Sequence, residues 1–199
     1  MKKLLIATGN QGKLGEIRKF LSDLPIEIIS LKDLRLNQNV DEDGKTYQEN
    51  SQKKALYFAK LSNLPTIADD GGIEIDALNG EPGVQSKHWA KDEDEIIKKL
   101  AKISNELQEN NKGAVFKTVI SLALPDGRVW SVEGEVKGVI TKSQHMKRVV
   151  GYPYRSFFYL PKIKSYYHED EMTEDQLRMY NHRYKAIQKL KKIIKEEII

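Results

Sequence analysis

The chain has 199 residues, enough for one domain or two closely packed lobes around a sizeable core. Thirty-three Lys and Arg against 29 Asp and Glu give a net charge of +4, short of the dense basic character of a dedicated nucleic-acid binder but suited to a polyanionic ligand. The absence of Cys excludes disulfide frameworks, thiolate metal sites and a cysteine nucleophile.

Leu4–Ala7 is too short an apolar run for a secretory signal core or a membrane span, so a cytoplasmic, soluble protein is expected. Lys3–Ala7 reads as a buried first strand. Thr8-Gly9-Asn10 breaks it, and a helix is predicted from about Gly12 to Leu21, with Ile17, Phe20 and Leu21 on its apolar face. Glu27–Ser30 reads as a second strand, and the polar stretch 32–45 as a loop. Thr46-Tyr47-Gln48-Glu49 has capping-box spacing and opens a second helix that ends near Asn63, before Pro65. A short strand at Thr66–Asp69, a turn at Asp70-Gly71-Gly72 and another strand through Ile73, Ile75 and Ala77 are predicted next. Asn79-Gly80 signals a turn. Asp92–Asn110 carries a helical stripe, Ile96, Leu100, Ile103 and Leu107. Ala114–Leu124 reads as a strand, Pro125-Asp126-Gly127 as a turn, and Val129–Val139 as one or two more strands. Phe157–Leu160 reads as a final strand, and one long helix follows from the cap Thr173. Interleaved helices and strands make the class α/β.

Several segments carry chemistry. The strand-to-helix passage Thr8-Gly9-Asn10-Gln11-Gly12-Lys13 reads either as a phosphate cradle or as an ordinary turn. Its glycine spacing and Leu14 after the lysine differ from a Walker A loop. Asp69 and Asp70 close a strand before Gly-Gly, where paired carboxylates hold a divalent cation and activate water, or serve as turn and cap residues. Glu42 lies in a loop, and Glu49 has a capping role. Asn50 and Lys54 share a helix face, from which Lys54 reaches a phosphate or points to solvent. Residues 82–90 form a polar, aromatic loop. Tyr152, Tyr154, Phe157, Phe158 and Tyr159 beside Arg155 are core or a nucleobase platform. His182 and Arg183 offer donors to a base or belong to a solvated helix face, as does the basic run through Lys195.

In order, these pieces resemble the inosine triphosphate pyrophosphatase family, the noncanonical purine NTP pyrophosphatases. The family's Thr-Gly-Asn-x-x-Lys-x-x-Glu is matched by Thr8-Gly9-Asn10-Gln11-Gly12-Lys13-Leu14-Gly15-Glu16. Glu42-Asp43-Gly44-Lys45-Thr46-Tyr47-Gln48-Glu49-Asn50 with Lys54-Ala55, Ala68-Asp69-Asp70-Gly71-Gly72-Ile73 and Ala77-Leu78-Asn79-Gly80-Glu81-Pro82-Gly83-Val84-Gln85-Ser86 match its next three motifs. The resemblance implies a single domain over 1–199, with an elongated mixed sheet, flanking helices and two lobes around a central cleft. It also implies a homodimer and Mg²⁺-dependent hydrolysis of ITP, dITP or XTP to the monophosphate and pyrophosphate. It assigns Thr8, Gly9, Asn10, Lys13 and Gly71 to the substrate's triphosphate side. Glu42 and Asp70 become metal-side carboxylates, Lys54 an assistant, and Asp69 or Asp70 the group that activates water. The base side falls to Tyr152, Tyr154, Arg155, His182 and Arg183.

The second half departs from the family. Gly151-Tyr152-Pro153-Tyr154-Arg155-Ser156-Phe157-Phe158 replaces Gly-Phe-Gly-aromatic-Asp-Pro-x-Phe, so Arg155 occupies an acidic slot. Asn181-His182-Arg183 replaces Ser-His-Arg, and Leu177 takes a lysine position. A carboxylate exchanged for a guanidinium turns acceptors into donors, which predicts altered base selectivity. Two other functions compete: a nucleotide-binding protein without turnover, and a nucleic-acid-binding module using the basic last helix.

Overall fold

In the computed structural model, residues 2–199 are described. Seven strands pair in the order β2-β1-β3-β4-β5-β6-β7: β1 (Lys2–Ile6), β2 (Ile26–Ser30), β3 (Thr66–Ile75), β4 (Gly113–Ala123), β5 (Val129–Ile140), β6 (Phe158–Leu160) and β7 (Ser165–Tyr166). The helices are α1 (Gln11–Phe20), α2 (Tyr47–Ser62), α3 (Glu93–Glu106), α4 (Glu174–Tyr180) and α5 (His182–Glu197). Parallel pairing of β1 with β2 and β3, and antiparallel pairing of β6 with β5 and β7, make the sheet mixed. Among the described residues no helix is long and apolar enough to cross a membrane.

The chain divides into two compact units. Unit 1 holds the residues up to Asp70, Thr118–Gly134 and His182–Ile199; unit 2 holds Gly71–Lys117 and Glu135–Asn181. In unit 1, alternation along β1 sends side chains into two cores. Leu4 and Ile6 join Ile17, Leu21, Ile120, Ile187 and Leu190, covered by α1 and α5. Leu5 and Ala7 join Ala55, Phe58, Ala59 and Ala68, covered by α2. Helix α5 lies so close to β5 that a Cβ on Gly134 would stand 2.0 Å from the His182 carbonyl oxygen. In unit 2, one aromatic-rich core gathers Ile73, Ile75, Leu100, Phe116, Phe157, Phe158 and Tyr167.

Phe157–Leu160 is not the final strand, since β7 follows β6, and three predicted boundaries change. The turn expected at Asp70-Gly71-Gly72 is the middle of the continuous strand β3. Gly72 is needed for proximity rather than for bending: a Cβ there would stand 2.2 Å from Ser86 Oγ and 2.4 Å from the Gly83 carbonyl oxygen. The predicted helix to Asn110 ends at Glu106, where Leu107 turns to an extended conformation and is buried. The single last helix is two, because Asn181 leaves helical geometry at ψ 116°. Its side-chain amide donates to Glu169 (2.7 Å), a bond that compensates the interruption.

Candidate active site

The charged residues singled out before position 71 lie in unit 1, and local capping explains how several are held. Asn10 is the N-cap of α1, its Oδ1 accepting the Lys13 N–H at 3.1 Å. Thr8 Oγ1 in turn accepts the Asn10 N–H at 3.2 Å. This fixes the passage out of β1 and starts Lys13 in the first turn of α1. Thr46 caps α2 as predicted, accepting the Glu49 N–H, while Glu49 accepts the Lys45 N–H at 2.6 Å. Glu49 is thereby a structural residue of the helix start.

Asp69 is fully buried at the center of a charge cluster. Its carboxylate pairs with Lys13 and accepts Arg183 Nε at 2.9 Å and Thr118 Oγ1 at 2.6 Å. Arg183 also pairs with the buried Glu16. Burial alone would raise the Asp69 pKa, but the Arg183 and Lys13 cations outweigh it and hold the carboxyl well below the ordinary range. Asp69 is thus a fixed anion. Asn181, His182 and Arg183 are all buried, so the solvated-face alternative for them does not hold.

Asp70 is the next residue of β3 and projects to the opposite face. It is 9% exposed, and its Oδ2 accepts the Asn50 side-chain amide at 3.0 Å. Burial raises its pKa, the Lys13 charge, the Asn50 bond and Lys54 oppose that rise, and Glu42 adds to it. Adjacent carboxyls are therefore pushed in opposite directions, the pattern by which one site separates a fixed charge from a proton acceptor. Asn50 also uses its Oδ1 to accept the Gly44 N–H at 2.7 Å, tying the 42–44 loop to Asp70. A Cβ on Gly44 would stand 2.6 Å from that oxygen. Glu42 pairs with Lys54, whose ammonium also lies 3.4 Å from the Asp69 carbonyl oxygen.

Glu42 and Asp70 offer oxygen donors only, and the repulsion between them is relieved by a cation. The donor set therefore fits a hard divalent ion such as Mg²⁺. Gly71 continues β3 in unit 2.

The predicted base-side residues Tyr152, Tyr154 and Arg155 lie in unit 2. Arg155 is buried, ion-pairs with Glu169 at 3.1 Å and stacks on the rings of Tyr152 (3.8 Å) and Tyr167 (4.6 Å). Tyr154 donates to the Ser86 carbonyl oxygen at 2.7 Å, and burial raises its pKa. Sequence reasoning missed the contributions of Glu16, Asn50 and Thr118. The first two sit inside quoted motifs, whereas Thr118 has no local signal beyond a hydroxyl in a strand.

The Ham1 family matches residues 4–193. The chain is 34% identical over 195 residues to the dITP/XTP pyrophosphatase of Desulforamulus reducens, covering 96% of this chain and 95% of that protein. It is 36% identical over 197 residues to an enzyme of the same name from Thermus thermophilus, covering 98% and 92%. Among solved structures, the Staphylococcus aureus Ham1 protein superposes with a TM-score of 0.81 at 32% identity, covering 98% of this chain and all of that one. A HAM1 protein from Coxiella burnetii gives 0.83 at 29% identity, with the same coverage.

Proposed function

Because this chain belongs to the Ham1 family, we propose that it hydrolyses noncanonical purine nucleoside triphosphates such as ITP, dITP and XTP to the monophosphate and pyrophosphate. Water attacks the α-phosphorus, the bond to the α–β bridging oxygen breaks, and pyrophosphate leaves. The observation that carries this reading is the buried Asp70 carboxyl, held by the Asn50 side-chain amide at 3.0 Å in the field of Lys13, Lys54 and Glu42. Asp70 accepts the proton of the attacking water. Asn50 orients Asp70 through the hydrogen bond its side-chain amide donates. Thr8, Gly9, Asn10 and Lys13 receive the phosphates at the start of α1, where backbone N–H groups and the helix dipole favor an anion. Lys54 neutralizes charge on the phosphates. Asp69 holds Lys13 and Arg183 in place.

Glu42 and Asp70 would hold Mg²⁺, which supplies charge neutralization on the polyphosphate. Tyr152 provides a stacking surface for the base, with Arg155 behind the ring. Tyr154 and the Arg155–Glu169 pair, all in unit 2, set the shape and polarity on the base side. The protein works as a cytoplasmic homodimer, as the family resemblance implies, and sedimentation of the purified chain tests the dimer.

The test is a panel of ITP, dITP, XTP, GTP and dGTP, with the leaving group identified chemically. Release of pyrophosphate with the inosine and xanthosine nucleotides preferred is expected. Orthophosphate as product, or Mg²⁺-dependent binding without turnover, overturns the reading. In the same panel Arg155→Ala is expected to change the ratio of kcat/KM values between bases by about tenfold, while pyrophosphate remains the product. An unchanged ratio removes Arg155 from selectivity.

A further inference from the structure

A second cluster of ionizable side chains lies wholly in unit 2 and has no part in the hydrolytic proposal. His145 comes from the loop after β5, His168 from just beyond β7, and Glu171 from the 3-10 turn 169–171. One ligand atom from each lies within 4.8 Å of the other two. His145 Nε2 is 3.4 Å from Glu171 Oε1, and the two imidazole rings lie with centroids 4.3 Å apart, tilted by 39°.

His168 is 0% exposed, and neither ring nitrogen has a hydrogen-bond partner. Fully buried imidazoles are ordinarily satisfied, so this ring has donor–acceptor capacity that the fold leaves unused. We propose that His145, His168 and Glu171 form a second metal site, taking a first-row transition ion of the zinc class.

Two imidazole nitrogens and one carboxylate oxygen select zinc-class ions over Mg²⁺, which prefers oxygen alone. Metal bonds of about 2.0–2.2 Å put tetrahedral ligands about 3.4 Å apart. Closure from 4.8 Å falls to the two more accessible members, since the His145 and Glu171 side chains are 22% and 37% exposed and His168 is fixed in the core. The Lys147 backbone orients the His145 ring, its N–H donating to Nδ1 at 3.2 Å and its carbonyl oxygen lying 3.4 Å from the same nitrogen, which leaves Nε2 turned toward Glu171. The neighboring cations do not oppose an ion unaided. Lys147 pairs with Asp170 and Arg155 with Glu169, which leaves Glu171 as the carboxylate of that turn facing the histidines. A bound ion would clasp the loop after β5 to the segment after β7.

The test uses the full-length protein, stripped by chelator and titrated with Zn²⁺ in excess Mg²⁺ against a competing chromophoric chelator. One Zn²⁺ per chain is expected to survive the magnesium, with Co²⁺ giving a visible d–d spectrum in its place. His145→Ala and Glu171→Gln are each expected to weaken Zn²⁺ binding at least about tenfold while nucleotide hydrolysis is retained. Glu42→Gln is expected to keep the zinc. No stoichiometric zinc, or affinity unchanged in both variants, overturns the proposal. Loss of zinc in Glu42→Gln with retention in His145→Ala assigns the ion to the carboxylate site and also overturns it. His168→Gln probes the core ligand; if that variant does not fold, His145→Ala and Glu171→Gln, at the more accessible positions, still decide the result.

Discussion

Asp69 and Asp70 are chemically identical neighbors with different surroundings. Asp69 has Lys13, Arg183 and Thr118 bonded to it, whereas Asp70 is bonded by one amide and feels Lys13, Lys54 and Glu42 only through their charges. Asp70→Asn is therefore expected to lower turnover about 10²–10⁴-fold with little change in the urea midpoint. Asp69→Asn leaves Lys13 without its buried anion and Arg183 with Glu16 alone. Removing one member of a buried pair costs about 3–5 kcal/mol, so this variant should show a large fall in the unfolding midpoint as well as lost activity. An Asp69→Asn protein as stable as the parent would show that the cluster is not held by this charge.

The pH dependence has a definite sign. The Asp69 pKa is depressed on folding, so its contribution to stability is fully present above the unfolded value of 3.8 and is lost as pH falls toward the folded value. Urea midpoints measured from pH 7 down to 3 should be flat near neutrality and fall in the acid range, with a smaller acid slope in Asp69→Asn.

Among the elements, glycine spacing has two distinct causes. Gly72 sits in β3 because Ser86 and Gly83 leave no room for a side chain. Gly72→Ala is expected to destabilize by about 1–3 kcal/mol, by overpacking, in a denaturant titration. Gly15 lies inside α1 with open space around its Cβ position. Gly15→Ala is expected to stabilize by about 0.5–1 kcal/mol, because it removes backbone freedom from the unfolded chain at no steric cost. Opposite signs at the two positions in one assay would separate packing from propensity. The same contrast explains the predicted turn at Gly71-Gly72: local rules read two adjacent glycines as flexibility, and only the close approach of residues 83–86 shows that they permit contact. Asn181 is the reverse case. It resembles an ordinary helical position until Glu169 appears opposite its side chain and ends α4.

Across the molecule, the net charge of +4 is modest, yet unit 1 concentrates opposite charges from segments far apart in the chain. Arg183 reaches Asp69 across 114 positions and Glu16 across 167. Chelation with EDTA should abolish hydrolysis, and Mg²⁺ should restore it fully, since Glu42 and Asp70 offer oxygen donors alone. Activity undiminished in EDTA would remove the metal from the proposed mechanism.

Short-range signals in the chain were sufficient for the α/β class, most helix starts and the identity of the charged residues, because capping and hydrophobic periodicity act over a few positions. Thr46, Asn10 and the stripe of α3 are of that kind. The four ordered motifs likewise identified the family. Which aspartate is clamped by cations and which is pushed up by burial emerges only once the chain is folded. So does the matching of Arg155 by Glu169, and the burial of His168 beside His145 and Glu171. A carboxyl's titration and a cation's partner depend on burial and on charges brought from distant segments, and neither is written in the spacing of neighboring residues.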